Sequence, residues 1–288
     1  MHPEYIRLRT TRMKVKELPV SLYYSLKLRY GGVRSSRGRS KPEVPVVISL
    51  TTIEPRLNIV DLVIRSLLAQ DTRPKKILLW IHESLRTKLP KKLTVLQNDI
   101  FEIRYTHLHC SHKKLVHTLS AFPDERIISC DDDLMYRPHW LSLLYEESLK
   151  FPKAIIANQI RTITTDADGH FLPYAQWPVN RPDPGSVARV LPIGAEGVLY
   201  PPGSLDPRFE QEELFLRLSP KADDLWFKTM SLLKGTTCRL ASNKGKSAVP
   251  IIGSQKFSLK HVNIKKDLNS LQWNQLADHF GLRKLMKD

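Results

Sequence analysis

From residue 43 onward the chain alternates between two hydrophobic periods. Val46-Val47-Ile48-Ser49-Leu50 is a continuous β-branched apolar run, and Asn58 to Gln70 then repeats apolar residues at helical spacing through Ile59, Val63, Leu67 and through Val60, Ile64, Leu68. The alternation recurs. Ile77 to Ile81 and Phe101 to Tyr105 read as strands, Lys113 to Phe122 as a helix, and Arg126 to Cys130 as a strand running into three aspartates. Pro138 stands where the first turn of a helix through Leu149 is expected, because its fixed φ and missing N–H cost nothing there. Ala154 to Ile160 reads as a further strand and Asp223 to Leu233 as a late helix, with a stretch rich in Pro, Gly and aromatics from Tyr174 to Arg208 between them. No internal repeat is visible. Strands alternating with helices over this length predict an α/β fold: a single Rossmann-like domain with a mostly parallel central sheet flanked by helices. Such sheets take ligands at the carboxyl ends of their strands, where Thr51-Thr52 and the aspartates both fall.

Composition divides the chain. Its 288 residues carry 41% hydrophobic content, enough for a sizeable core, and a net charge of +16. Residues 1–41 hold eleven Lys or Arg against Glu4 and Glu17, so +9 of that charge lies in the first seventh of the chain. The Ser, Gly and Arg content of Arg34 to Lys41, ending at Pro42 and Pro45, reads as a linker. The expected organisation is a basic arm and linker over 1–43, a core over 44–255, and a C-terminal helical segment over 256–288 packing on that core. Within the arm, Tyr5, Ile6, Leu8, Leu22, Tyr23, Tyr24, Leu26 and Leu28 are interleaved with the basic residues. That mixture suits an anionic membrane surface, attracts nucleic acid, and is equally the composition of a solvated tail. No run approaches the ~18 consecutive apolar residues of a membrane span, and basic residues occupy the place of a signal peptide's apolar stretch, so a cytoplasmic chain is expected, with a peripheral position on the inner face of the cell membrane open to it through the arm. Three widely spaced cysteines, Cys110, Cys130 and Cys238, lack the paired spacing of a zinc or redox centre and read as buried thiols.

The chemistry concentrates in a few acidic positions. If the strand continued through Asp131, Asp132 and Asp133, the first and third would share a face and the second point away. Carboxylates ~5 Å apart repel by about 3 kcal/mol at an effective dielectric near ~20, so such a cluster calls for a cation or a raised pKa. Hard oxygen ligands select Mg2+ or Mn2+, and a metal so held would neutralise a diphosphate. Helix capping, solvent exposure or pairing with Arg137 are the structural alternatives. Asp223-Asp224 precedes Leu225-Trp226-Phe227 at a helix start, where plain capping competes with a role for Asp224 as a proton acceptor, Glu212, Glu213 and Glu196 being weaker candidates. Lys113 and Lys114 open a helix against its dipole, which favours a nearby anion such as phosphate, although solvated lysines are commoner. The glycines of the run from Gly194 through Glu196, Gly197 and Tyr200 to Gly203 allow the close approach of a substrate-facing loop, or of an ordinary turn. His261 is a candidate further metal ligand, a structural role being the commoner use of such a residue.

Taken together, VVISLTTIEPRL, SLLAQDTRPKKILLWI, SHKKLVHTL, ISCDDDLMYRPHWL, GAEGVLYPPGSLD and ADDLWFKTMSLLKG, in that order, resemble bacterial family-2-like glycosyltransferases of the GT-A fold from Val46 to about Gly235. The resemblance implies that Asp131, Asp132 and Asp133 bind the metal and donor diphosphate, with Asp133 the direct ligand to test first, and that Thr51, Thr52 and Arg56 contact the nucleotide. It implies Asp224, with Asp223 beside it, as catalytic base, and a nucleotide diphosphate-sugar donor whose sugar passes, with inversion, to a glycan or glycolipid acceptor such as lipopolysaccharide or capsule. Glu196, Gly197 and Tyr200 are the expected acceptor-side residues and Lys114 a donor-phosphate contact. His82-Glu83 stands where relatives carry an acidic residue after the second strand, and the basic arm lies outside the match. A sugar nucleotidyltransferase, which would release pyrophosphate, is the rival enzyme. A nucleic-acid-binding module is the rival from another class; nucleic acid is not expected, because the core lacks a basic and aromatic groove signature.

Overall fold

The computed structural model describes residues 17–31, 41–182, 187–254 and 267–286. The basic stretches 1–16 and 32–40, and His261 with them, lie outside the described residues. Along the chain run α1 (Leu18–Leu26), β1 (Glu43–Thr51), α2 (Val60–Leu68), β2 (Arg73–His82), α3 (Lys91–Thr94), β3 (Phe101–Thr106), α4 (Lys113–Ala121), β4 (Arg126–Ser129), β5 (Leu134–Met135) and α5 (Trp140–Lys150). They are followed by β6 (Ile155–Ala157), β7 (Ile160–Thr162), β8 (Val190–Pro192), β9 (Val198–Tyr200), α6 (Glu212–Leu218), α7 (Asp223–Lys234), β10 (Cys238–Leu240), β11 (Val249–Pro250), α8 (Leu268–Phe280) and α9 (Leu282–Leu285).

The expected α/β domain is what forms: a seven-stranded sheet in the order β10-β6-β9-β4-β1-β2-β3, parallel except at β9, which runs antiparallel to both its neighbours. Both faces are covered, and this is why the strands read as unbroken apolar runs. On one face Val46, Ile48 and Leu50 meet Val60, Val63, Ile64 and Leu67 of α2; on the other, Val47, Leu78 and Ile127 meet Leu115 of α4 and Trp226 of α7. β1 starts three residues earlier than its apolar run, with its register shifted between Val44 and Val47, so that Pro45, which has no N–H to give the ladder, falls in the irregular step.

Ala154 to Ile160 is not one strand. β6 stays in the main sheet, whereas β7 leaves it to pair with β8, and Asn158 at the break donates its N–H to the Gly197 carbonyl (3.1 Å). The C-terminal α8 seals the second face with Trp273, fully buried and packed edge-on against Trp177 at 5.7 Å. Among the described residues no helix is long and apolar enough to cross a membrane.

Candidate functional site

Parallel pairing of β1 with β4, Ser49 opposite Ser129, brings Thr51-Thr52 and Asp131–Asp133 side by side as the chain leaves the sheet. The start of α4 closes one side and the start of α7 another. The result is a cavity of about 700 Å3 whose wall includes Thr51, Thr52, Arg56, Lys113, Lys114, Asp131, Asp132, Asp133 and Asp223.

Strand alternation does not set the carboxylates, because β4 has ended at Ser129 and Asp132 and Asp133 lie in a turn. The pairing expected of Asp131 with Asp133 is therefore replaced by another. Arg56 bridges Asp132 and Asp133, through an Nη1 bond to the former and an Nη2 contact of 3.2 Å to the latter. Thr52 donates its hydroxyl to Asp132 Oδ2 at 2.5 Å, and Thr51 donates to the Trp80 carbonyl at 2.8 Å. Burial pushes the Asp132 carboxyl upward, opposed by the Arg56 charge and the Thr52 bond.

Asp131 turns instead to Lys114, whose Nζ lies 3.0 Å from Asp131 Oδ1 and 3.2 Å from Asp223 Oδ2. Two lysines could open α4 against its dipole because the protein supplies the anions itself. Burial acts to strip the Lys114 proton, but Asp131, Asp223 and Asp224 outweigh it and hold the ammonium well above its ordinary range. Lys113 donates to the Leu108 carbonyl at 3.2 Å, and burial lowers its pKa.

The acidic pair at α7 splits in character. Asp223, which faces the cavity, accepts the Ser111 hydroxyl at 2.8 Å; burial opposes its charge, yet the Lys114 ammonium holds its carboxyl below the usual range. Asp224 is not a lining residue. Its Oδ1 accepts the Gly194 N–H at 3.1 Å, and burial together with the neighbouring Asp223 charge pushes its carboxyl up to about 8. Gly194 lies between the two acidic runs: a Cβ there would sit 3.2 Å from Asp224 Oδ1, 3.3 Å from Lys114 Nζ and 3.6 Å from Asp131 Oδ1.

Glu196, Gly197 and Tyr200, expected on the acceptor side, are not brought to this cavity; of their loop only Ala195 reaches it. Glu196 lines a separate polar cavity of about 210 Å3 with Asn158, Asn180 and Lys244, and its Oε2 accepts the Ala248 N–H at 3.1 Å. Gly197 has φ +100° and lies so close to Trp140 that a Cβ would come within 2.6 Å of the ring, so it is required by packing. Tyr200 is buried in β9 opposite Ile127. The loop is tied from four sides. The Tyr136 hydroxyl accepts the Asp131 N–H (2.9 Å) and donates to the Ala195 carbonyl (3.0 Å), Trp140 Nε1 and Asn158 Nδ2 both donate to the Glu196 carbonyl (2.7 and 3.1 Å), and Asp224 holds Gly194.

Residues that the pattern of apolar positions does not single out add to the wall, among them His107, His109, Cys110, Ser111, Glu212 and Lys221. The ring of His109 stacks on His82 at 3.6 Å, and His107 pairs with Glu212 at 2.9 Å. The signal for them was positional, a polar run between the end of β3 and the start of α4. His112, just beyond, is buried against Phe215, and desolvation pulls it down to about 4, so it is neutral. Among the described residues the three aspartates do not place ligand oxygens within 4.8 Å of one another; Asp166, Asp168 and His170 do, but on an exposed turn where Asp166 Oδ1 accepts the N–H groups of Asp168 and His170.

No protein-family model and no curated protein matches the chain. Among solved structures, a CMP:2-keto-3-deoxy-manno-octonic acid synthetase complexed with CTP is similar over 80% of this chain and 100% of its own, at 12% identity and a TM-score of 0.41. A 4-diphosphocytidyl-2C-methyl-D-erythritol synthase from Anaerococcus prevotii is similar over 77% of this chain and 99% of its own, at 10% identity and a TM-score of 0.40. The expectation of a glycosyltransferase is corrected here: neither of these two structures is one. Likeness this remote assigns no activity, so function rests on the cavity.

Proposed function

We propose that the cavity binds a nucleoside triphosphate and transfers its nucleotidyl group to an oxygen of a sugar or sugar phosphate, releasing pyrophosphate. The observation that carries this reading is the convergence of Asp131, Asp132, Asp133 and Asp223 with Arg56, Lys113 and Lys114 around one space of about 700 Å3 at the carboxyl ends of β1 and β4. In the reaction a bond forms between the nucleophile oxygen and the α-phosphorus, the α–β phosphoanhydride breaks, and the β- and γ-phosphates leave together. Arg56, Lys113 and Lys114 line this space, and they are the residues proposed to meet those phosphates. The stacked His82 and His109 rings offer a face on which a base can rest.

The donor set suits a divalent cation. Each of the two cations in direct ion pairs there faces two carboxylates, Arg56 facing Asp132 and Asp133 and Lys114 facing Asp131 and Asp223. Mg2+ or Mn2+ is commonly held by one or two carboxylates completed by substrate phosphates and water, and Asp131 and Asp133 are the residues proposed for it. When bound, such an ion would neutralise charge on the phosphates and on the departing pyrophosphate. Asp224 takes a positioning role, fixing Gly194 and with it the loop behind Lys114.

The test is thermal stabilisation by ATP, CTP, GTP and UTP with and without Mg2+ or Mn2+, followed by a pyrophosphate-release assay on pooled sugars and sugar phosphates. One triphosphate is expected to raise Tm in a metal-dependent way, and the joint substitution Asp131→Asn, Asp133→Asn to remove that dependence. No stabilisation by any triphosphate, or release of a nucleoside diphosphate in place of pyrophosphate, would sink the proposal.

A further inference from the structure

The N-terminal helix α1 is built inside out. The side it turns to the protein carries Ser21, fully buried, with Tyr24, Ser25 and Leu28. Ser21 Oγ donates to the Pro250 carbonyl at 2.7 Å, and Arg137 donates to the Tyr24 hydroxyl at 2.6 Å while stacking on its ring at 4.7 Å. The outward side carries Leu18, Leu22, Tyr23 and Leu26, with Val20 exposed among them and Tyr30 after them; Tyr23 is 60% and Tyr30 84% exposed. These six belong to the fifteen large hydrophobics exposed among the described residues, gathered within thirteen positions, so this is a patch and not scatter. An amphipathic helix ordinarily buries most of its larger apolar side chains; here Ser21 and Ser25 share the inward side with Tyr24, while three leucines and Tyr23 face out.

Charge identifies what covers the patch. Lys27 and Arg29 are exposed beside it, and in sequence Lys14 and Lys16 precede it and Arg34, Arg37 and Arg39 follow, within a 41-residue stretch of net charge +9. A second copy of the chain would bring the same positive charge against itself in a two-fold contact. A surface rich in phosphate and carboxylate headgroups would not. We propose that α1 is a docking helix for an anionic lipid bilayer, its leucines and Tyr23 entering the headgroup boundary while Lys27 and Arg29 pair with lipid phosphates. The helix rests on β11 and, through Ser25 Oγ against Met135 Sδ at 3.8 Å, on β5, the segment that directly follows Asp133. Docking is separate from catalysis and stands whatever the cavity binds.

The experiment is flotation of the full chain with vesicles of phosphatidylcholine alone and of phosphatidylcholine mixed with phosphatidylserine, across a salt series. Binding to the mixed vesicles only, weakening as salt rises, is expected. Leu22→Ser, Tyr23→Ser and Leu26→Ser together should lower it about tenfold or more, and Lys27→Glu with Arg29→Glu should do the same, each with an unchanged circular-dichroism melt. Should the triple variant fail to fold, the charge-reversal pair decides. Equal binding to neutral vesicles, binding that survives these variants, or no vesicle binding alongside self-association abolished by the same changes would overturn the proposal.

Discussion

The acidic run after β4 and the acidic pair that opens α7 use the same side chain and are neutralised by different means. Asp132 and Asp133 sit against a guanidinium whose two arms reach both, with a hydroxyl bond from Thr52 added to one. Asp223 shares Lys114 with Asp131 and accepts the Ser111 hydroxyl, while burial and the Asp223 charge raise the Asp224 carboxyl to about 8. The difference follows from where each run leaves its element. A turn after a strand lets neighbouring carboxylates fan toward one planar cation, whereas the first turn of a helix points consecutive side chains about 100° apart, toward different surroundings. Lys114 joins the two systems, and Gly194 keeps the space between them open.

Substituting that shared ammonium should break the comparison most severely. Lys114→Met leaves Asp131 and Asp223 facing each other across a mostly buried site, and a loss of about 3–5 kcal/mol in denaturant unfolding is expected. A loss under about 1 kcal/mol would mean that the two runs are not coupled through this residue. Next in size is Asp224→Asn, which keeps an acceptor for Gly194 while removing the titration. Because the folded-state pKa is raised from 3.8 to about 8, the folded chain holds a proton that the unfolded chain has lost between those values, and wild-type stability falls as pH climbs through that window. The variant should gain on the wild type between about pH 5 and pH 8 in parallel thermal melts, and a gap that stays flat would place the proton elsewhere. The smallest effect belongs to Thr52→Val. It removes one bond to a carboxylate that Arg56 still holds, for roughly 1–2 kcal/mol by chemical denaturation.

The sheet was legible because its strands are buried on both sides and announce themselves as β-branched runs; β1, β2, β3 and β4 fall where those runs stand. From that order the meeting of Thr51, Thr52, Arg56, Lys114 and the aspartates also follows, since strand ends gather ligands at one edge. Carboxylate pairing departs from strand alternation because the last ladder partner is Ser129, two residues before Asp131, and the chain has turned by Asp132. Glu196 and Tyr200 were misplaced for a related reason. The short 3-10 turn at Gly194–Glu196 and the positive φ of Gly197 redirect the chain into an antiparallel strand of three residues, too short to show a period. The histidines before α4 carried no periodic signal at all, and only the fold places them on the cavity wall. As for the chemistry, acidic residues beside buried cations announce phosphate, and nothing in their spacing tells sugar transfer from nucleotidyl transfer.

The four-point anchorage of the loop from Gly194 to Gly197 bears on how a ligand is received. With Tyr136, Trp140, Asn158 and Asp224 each holding one of its peptide groups, this wall of the cavity is already ordered before anything enters. A guest that fits spends little of its interaction energy on arresting backbone motion there, and one that does not fit finds no slack to exploit. Selection at Ala195, where this loop reaches the cavity, is therefore a matter of shape, enforced by a template whose stiffness comes from side chains that do not line the cavity.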